Sequence, residues 1–347
     1  MSIQKENNNK PAYKYDVEVS SAGGYTALLD FNNNYFIDKS GKILTAFTSP
    51  GGMVSDGWSG GEQATASGII ASLPYAIKVS WFSIAENQFW EGEAILDQEK
   101  LEKLKQYKVS DVWFKQNAYL LDDFTFTVNY ATDGLVTIWI WGGGEVHLFM
   151  QFQAKKVEEP NWDRFIQNTF GEKISRKDFL AYQMDLKNGN AALNENVRRE
   201  VIQKKIPGVD HWLRLMKTYS WILKGNDFFT LKDYQTNYVN GEQYFTHQGQ
   251  DQTPPRSVPL AFIAFLRNQQ THKDIRADLD LDQEETIEAF EAVAKEPGNE
   301  PIQFDIDIHP DMKEIGLFVS KGAHKIELHK FKAIQRDLPA GYNPTIK

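Results

Sequence analysis

The pentapeptide Gly57-Trp58-Ser59-Gly60-Gly61 fits the G-x-S-x-G pattern, in which a serine on a strained strand-to-helix turn attacks an acyl group. That chemistry needs a strand before the serine and a helix behind it. Here Ser49-Pro50-Gly51-Gly52 and Ser55-Asp56 stand in front, which is the vocabulary of loops. A flexible Gly/Ser loop carrying Trp58 is the plainer expectation, with a hydrolase using Ser59 as the alternative. The run Asp278-Leu279-Asp280-Leu281-Asp282 hints at a calcium loop, but Gln283 and Ala289 stand where an EF-hand requires Gly and Glu. Alternation explains Asp278 and Asp280 as the solvated face of a strand, and helix capping explains Asp282.

The other candidates give way in the same manner. Glu91 and Glu93 share a strand face as a glycosidase acid/base pair would, yet an outer sheet face carries such charges by default. The seven histidines are scattered and form no H-E-x-x-H. His324 and His329 differ by an odd number, so a regular strand sends them to opposite faces. Gly142-Gly143-Gly144 lies between two strands, where a hairpin turn is expected and a phosphate cradle is not. No catalytic residue, cofactor or metal is expected. The aromatic excess is the stronger signal: Trp58, Trp139 and Trp141 are the candidate binding residues, since Trp and Tyr dominate interface hot spots.

Composition sets the frame for these residues. The chain has 347 residues, 41% of them apolar and nine of them Trp, enough for two ordinary domains with their own cores. A net charge of −9 without a Lys/Arg cluster argues against nucleic acid as a partner. With no cysteine there are no disulfides, thiolate ligands, Cys nucleophiles or lipid-attachment thiols. Residues 1–16 lack the apolar core of a signal peptide, and no apolar run approaches the ~18 residues of a membrane span. The expectation is a cytoplasmic chain as given, or a periplasmic one if a signal segment has been removed.

The chain carries a pattern twice. Ser72-Leu73-Pro74, an apolar run, a second strand and Leu96-Asp97-Gln98-Glu99 recur as Ser257-Val258-Pro259, an apolar run, a second strand and Leu281-Asp282-Gln283-Glu284. Both anchors match at one offset, the 185 residues from Ser72 to Ser257 and from Leu96 to Leu281. At that offset Trp90, Gly92, Ala94 and Leu96 share parity with Ile275, Ala277, Leu279 and Leu281, so one face points inward in both copies. Asp97 and Asp282 are then equivalent N-caps, and Glu285 completes a capping box in the second copy. Strands follow at Phe124–Tyr130, Leu135–Trp141 and Val146–Ala154, and again at Ile302–Ile308, Ile315–Val319 and His324–Ile334. Between the copies the period turns helical: Ile174, Ser175, Asp178 and Phe179 mark a helix start, and Leu193, Val197 and Val201 sit four apart.

The fold class expected is α+β. It comprises two repeats of a mainly antiparallel sheet with one packed helix each, joined by a helical connector. The boundaries read as a disordered tail at 1–12, a first repeat at 13–158, the connector at 159–218, a second repeat at 219–338 and a tail at 339–347.

Four stretches carry a resemblance: Leu73-Pro74, Val79-Ser80-Trp81-Phe82-Ser83, Asn87-Gln88-Phe89-Trp90-Glu91-Gly92 and Leu135–Trp141. There the first copy resembles the bacterial domain of unknown function family 2931, many of whose members are regarded as lipoproteins. The resemblance covers residues 15–157 well and the rest only through the repeat. Some members resemble immunity proteins encoded beside lipase toxins of the type VI secretion system. The resemblance therefore implies a non-enzymatic protein that neutralises one protein partner, a cognate toxin, by stoichiometric binding. Against it, such proteins are expected in the periplasm or on a lipid anchor, and this chain shows neither signal nor lipid Cys. A carbohydrate-binding or structural module using exposed aromatics is the remaining alternative.

Overall fold

Segments whose side chains alternate between apolar and polar form strands, and those with an apolar stripe behind a capping residue form helices. The computed structural model describes residues 12–48, 53–54, 58–60, 64–109, 119–158, 161–246, 255–309 and 314–338. Apart from Ala12, the expected tails at 1–12 and 339–347 lie outside these. In chain order the first strands are β1 (Tyr13–Ser21), β2 (Ala27–Leu29), β3 (Tyr35–Ile37), β4 (Ile43–Ala46), β5 (Met53–Val54), β6 (Ala64–Ala71), β7 (Ala76–Ser83) and β8 (Gln88–Ile95). After α1 (Gln98–Lys105) come β9 (Phe124–Tyr130), β10 (Leu135–Gly142), β11 (Glu145–Gln153) and β12 (Lys155–Val157). Four helices follow, α2 (Trp162–Phe170), α3 (Arg176–Met184), α4 (Glu195–Ile202) and α5 (Val209–Leu215). The rest comprises β13 (Trp221–Gly225), β14 (Phe229–Tyr238), β15 (Gln243–Thr246), β16 (Pro259–Asn268), β17 (Asp274–Leu281), α6 (Gln283–Val293), β18 (Ile302–Ile308), β19 (Ile315–Lys321), β20 (His324–Leu328) and β21 (Phe331–Asp337).

The chain divides into two compact units. Of the described residues, those up to 108, 119–143 and 147–212 form one, and 109, 144–146 and those from 213 onward the other. The helical segment through Trp212 thus belongs to the first unit.

In the first unit one sheet runs β11-β10-β9-β1-β6 and the other β12-β8-β7-β2-β5, with β3 also on β7. The two face each other. Phe36 of β3 meets Phe126 of β9 with ring centroids 5.1 Å apart, and Trp81 of β7 meets Tyr130 at 5.0 Å. The Tyr130 hydroxyl donates to Asn34 Oδ1 at 3.0 Å, so this phenol is satisfied inside the core. On the outer side of β7 and β8, Phe82 packs on Trp162 of α2 (5.3 Å) and Phe89 on Phe165 (5.0 Å).

In the second unit one sheet runs β13-β18-β19-β20, and the other contains β21-β17-β16-β14-β15. They face each other through Phe262 of β16 and Phe304 of β18, 5.1 Å apart. Phe290 of α6 reaches Trp221 at 6.0 Å and Phe304 at 6.4 Å.

Local expectations hold in part. Asp97 Oδ1 accepts from Lys100 N and Asp282 Oδ1 from Glu285 N, both at 2.9 Å, so both aspartates are N-caps. The capping box is only half made. Glu285 turns its carboxylate to the amides of His329 and Lys330 (3.0 and 2.7 Å) in place of the cap residue's own amide. Trp90, Leu96, Ile275, Leu279 and Leu281 are buried and Glu91, Glu93 and Asp280 exposed, as parity requires. Ala94 is only half-buried. Asp278, expected in solvent, is also half-buried because Arg276 Nε donates to it at 2.6 Å.

Three features differ from the expectation of a single antiparallel sheet under one helix. Each unit has two facing sheets. Each contains a parallel pair, β1 with β9 and β13 with β18, which local sequence cannot announce. The strand expected over His324–Ile334 bends at His329-Lys330 and divides between both sheets of its unit.

Candidate functional site

Polar side chains of β1 and β9 that point away from the core begin the site. On β9, Phe124, Phe126 and Val128 face inward, so Thr127 and Asn129 face outward, and Trp139 of β10 stands directly opposite Thr127. An outward strand face is ordinarily solvated, yet Thr127, Asn129 and Trp139 are all fully buried.

Trp58 supplies part of the cover. Its ring packs edge-on to Trp139 at 5.2 Å and, tilted, on Trp212 of α5 at 5.6 Å. Its backbone carbonyl accepts from Ser20 Oγ at 3.0 Å and Asn129 Nδ2 at 3.2 Å, and Asn129 Nδ2 also donates to Ser20 Oγ at 2.8 Å. Trp58 is therefore held at both backbone and ring. Its indole Nε1 is buried without a hydrogen-bond partner among the described residues.

Trp212 is itself anchored. Its Nε1 donates to Thr132 Oγ1 at 2.9 Å, and Thr132 Oγ1 donates to the Pro207 carbonyl at 2.5 Å. Tyr25 packs edge-on to Trp212 at 6.1 Å, and its hydroxyl donates to Glu200 of α4. Burial, then the Glu200 carboxylate, pushes the Tyr25 phenol well above its ordinary range, so it stays protonated. Gly23, at φ +60°, passes beneath: a Cβ there would come within 3.1 Å of the Trp212 ring.

A carboxylate lies in the same region of the unit. Glu86 Oε1 accepts from Asp133 N at 2.8 Å and Oε2 from Trp90 Nε1 at 3.2 Å. Asp133 Oδ2 accepts in turn from Val209 N at 3.2 Å. Burial raises the Glu86 pKa, with the neighbouring Asp133 charge a smaller cause, while the hydrogen bonds oppose it. These groups tie the β7–β8 and β9–β10 turns to the start of α5.

The three candidate tryptophans thus have different stations. Trp58 is half-buried on a braced loop, Trp139 is 0% exposed and supports it, and Trp141 is 46% exposed. Only Trp58 and Trp141 present surface to a partner in this conformation. Ser59 makes no hydrogen bond to a histidine or carboxylate among the described residues, while Gly57 and Gly61 of its motif lie outside them, as does His247. Glu91 and Glu93 are exposed. His324 Nδ1 lies 3.1 Å from Glu296, and among the described residues no three His, Asp or Glu converge as a metal site. Gly143 and Gly144, at φ +56° and +81°, form a hairpin turn of the kind only glycine-like backbones enter readily. No helix is long and apolar enough to cross a membrane among the described residues.

Sequence reasoning missed Ser20, Asn129 and Thr132, because a polar residue on an outer strand face reads as solvated until its cover is known. Among the described residues the groups meeting at Trp58 are indole, amide and hydroxyl, which are suited to holding a shape.

Fold and site together define an α+β protein of facing sheets whose first unit carries a braced aromatic cluster. The chain belongs to the family described as Protein of unknown function (DUF2931), which matches residues 2–207, more than half its length. No curated protein and no solved structure matches it.

Proposed function

We propose that this chain is a non-catalytic binding protein that occupies one protein partner, as an immunity protein occupies a toxin. The observation that carries this reading is Trp58, a large aromatic pinned through its carbonyl by Ser20 and Asn129 and through its ring by Trp139 and Trp212. An anchor already held in place loses little freedom on binding, which favours tight association. A stable complex would cover roughly 1,200 Å² or more.

Pull-down against the product of the adjacent gene tests it, with Trp58→Ala and Ser59→Ala variants. Binding lost in Trp58→Ala and kept in Ser59→Ala is expected. Esterase activity that disappears only in Ser59→Ala would replace this reading with a hydrolase.

The two units are proposed to be degenerate copies of one ancestor. Strand register supports this. Ile77 pairs with Ala94 and Trp81 with Trp90, while Phe262 pairs with Leu279 and Leu266 with Ile275, every partner displaced by the same 185 residues. The order of partners is also shared: β12-β8-β7-β3 stands against β21-β17-β16-β14, and β1-β9-β10 against β13-β18-β19. The family match ends at residue 207, so the second copy would be the more diverged. A solved structure whose halves cannot be superposed strand for strand would end this reading.

A further inference from the structure

Among the described residues, Arg256 of the second unit has no carboxylate partner of the kind a drawn-in cation ordinarily has. Its backbone is fixed against Tyr219 by two hydrogen bonds, Tyr219 N to Arg256 O at 2.8 Å and Arg256 N to Tyr219 O at 3.0 Å. The half-buried side chain directs Nη1 to the Tyr238 hydroxyl at 3.3 Å and to Thr246 Oγ1 at 3.4 Å. No carboxylate lies within ion-pair distance of it among the described residues. Arg214 of the same unit is the contrast, bound to both Glu284 (2.6 Å) and Glu291 (3.0 Å). The Glu242 carboxylate of the same unit accepts from Asn240 Nδ2 (2.8 Å) and the Tyr244 hydroxyl (2.5 Å).

The surroundings of Arg256 are neutral and polar. Tyr234, Thr236 and Tyr238 share one face of β14, and Thr246 stands opposite Tyr234. All four are buried, and Thr236, 0% exposed, has a hydroxyl without a hydrogen-bond partner among the described residues. Burial keeps the Tyr238 phenol protonated. In the first unit the position corresponding to Thr236 is Phe36: each stands opposite the residue, Phe262 or Ile77, related by the 185-residue offset. There the ring packs on Phe47 and Phe126. This comparison rests on the two-copy reading; the contacts of Arg256 do not.

We infer that the Arg256–Tyr238–Thr246 cluster is a binding site for a small oxyanion, a carboxylate or a phosphate. A guanidinium withdrawn from water is stabilised by a counter-charge far more than by phenol dipoles, and its planar fork matches two oxygens of such a group. Thr236 and Tyr238 add hydroxyls that donate or accept.

The test is tryptophan fluorescence and thermal melting of the full chain titrated with potassium phosphate and, separately, sodium succinate, each against potassium chloride at equal ionic strength. Trp221, with its ring 6.2 Å from that of Tyr238, is the reporter. A saturable response to one oxyanion is expected, with no saturation by chloride; which salt saturates identifies the class. Arg256→Gln should abolish the response, and Tyr238→Phe should weaken the apparent affinity about fivefold, the worth of one hydrogen bond. Should Arg256→Gln fail to fold, Arg256→Lys keeps the charge without the fork and should still weaken binding severalfold. Equal responses to chloride and both oxyanions, or wild-type affinity in the Arg256 variants, would overturn the assignment.

Discussion

Replacing Leu279 by alanine tests whether strand parity places side chains as described. Leu279 is 0% exposed on β17, opposite Phe262 of β16 on one side and Ala333 of β21 on the other. The change removes three carbons, about 2.4 kcal/mol of transfer free energy at ~0.8 per methylene-sized group. With strands on both sides the site collapses poorly, and the cavity left adds to that loss. The expected destabilisation is about 2–5 kcal/mol. Asp280→Ala, one residue on and exposed, should change stability by no more than about 0.5 kcal/mol. Urea dependence of hydrogen exchange, read in peptides covering β17, assigns the effect to this strand. A loss under about 1 kcal/mol for Leu279→Ala, or equal losses for both variants, would mean that the strand is displaced by one residue and its faces exchanged.

Other outcomes follow from single contacts. Asp97→Ala and Asp282→Ala should each cost about 1 kcal/mol in chemical denaturation, since each removes an N-cap acceptor. Gly134→Ala should destabilise by at least about 2 kcal/mol in thermal melts, because φ is +76° and the new Cβ would lie 2.4 Å from the Trp90 ring. Glu86 has a folded-state pKa above its ordinary 4.5, so the folded chain binds its proton more readily than the unfolded one. The stability of wild type relative to Glu86→Gln should therefore fall as pH rises from 4.5 through the raised value, measured by denaturation across that window. A difference that stays flat or grows would refute the assignment.

Much of the fold was legible because it is written locally. Asp97 and Asp282 before apolar-striped segments, Ser175 with Asp178, and the alternation in β8 and β17 each need only a few consecutive residues. The pairs β7–β8 and β16–β17 join strands adjacent in sequence, so their pairing is local as well. The parallel pairing of β1 with β9 had no such trace, nor did the bend at His329-Lys330, which depends on the Glu285 carboxylate reaching across 44 and 45 residues. The site was half legible. Trp58 and Trp139 stood out by type, but Asn129 belongs to a strand face whose cover includes Trp58 itself.

The place of β1 also bears on how the first unit comes into being. It lies between β6 and β9, and Tyr15 pairs with Phe124. A nascent chain emerging N-terminus first therefore carries this strand without its β9 partner until residues beyond Phe124 have been made. In that interval β6 is the partner it can have, joined through a ladder broken at two places between Tyr15 and Glu18. Until β9 covers it, that edge of β1 presents unpaired backbone groups, which in general template pairing with another strand. The complete β1–β9 ladder needs residues through Tyr130, a long-range pairing of the kind that forms late.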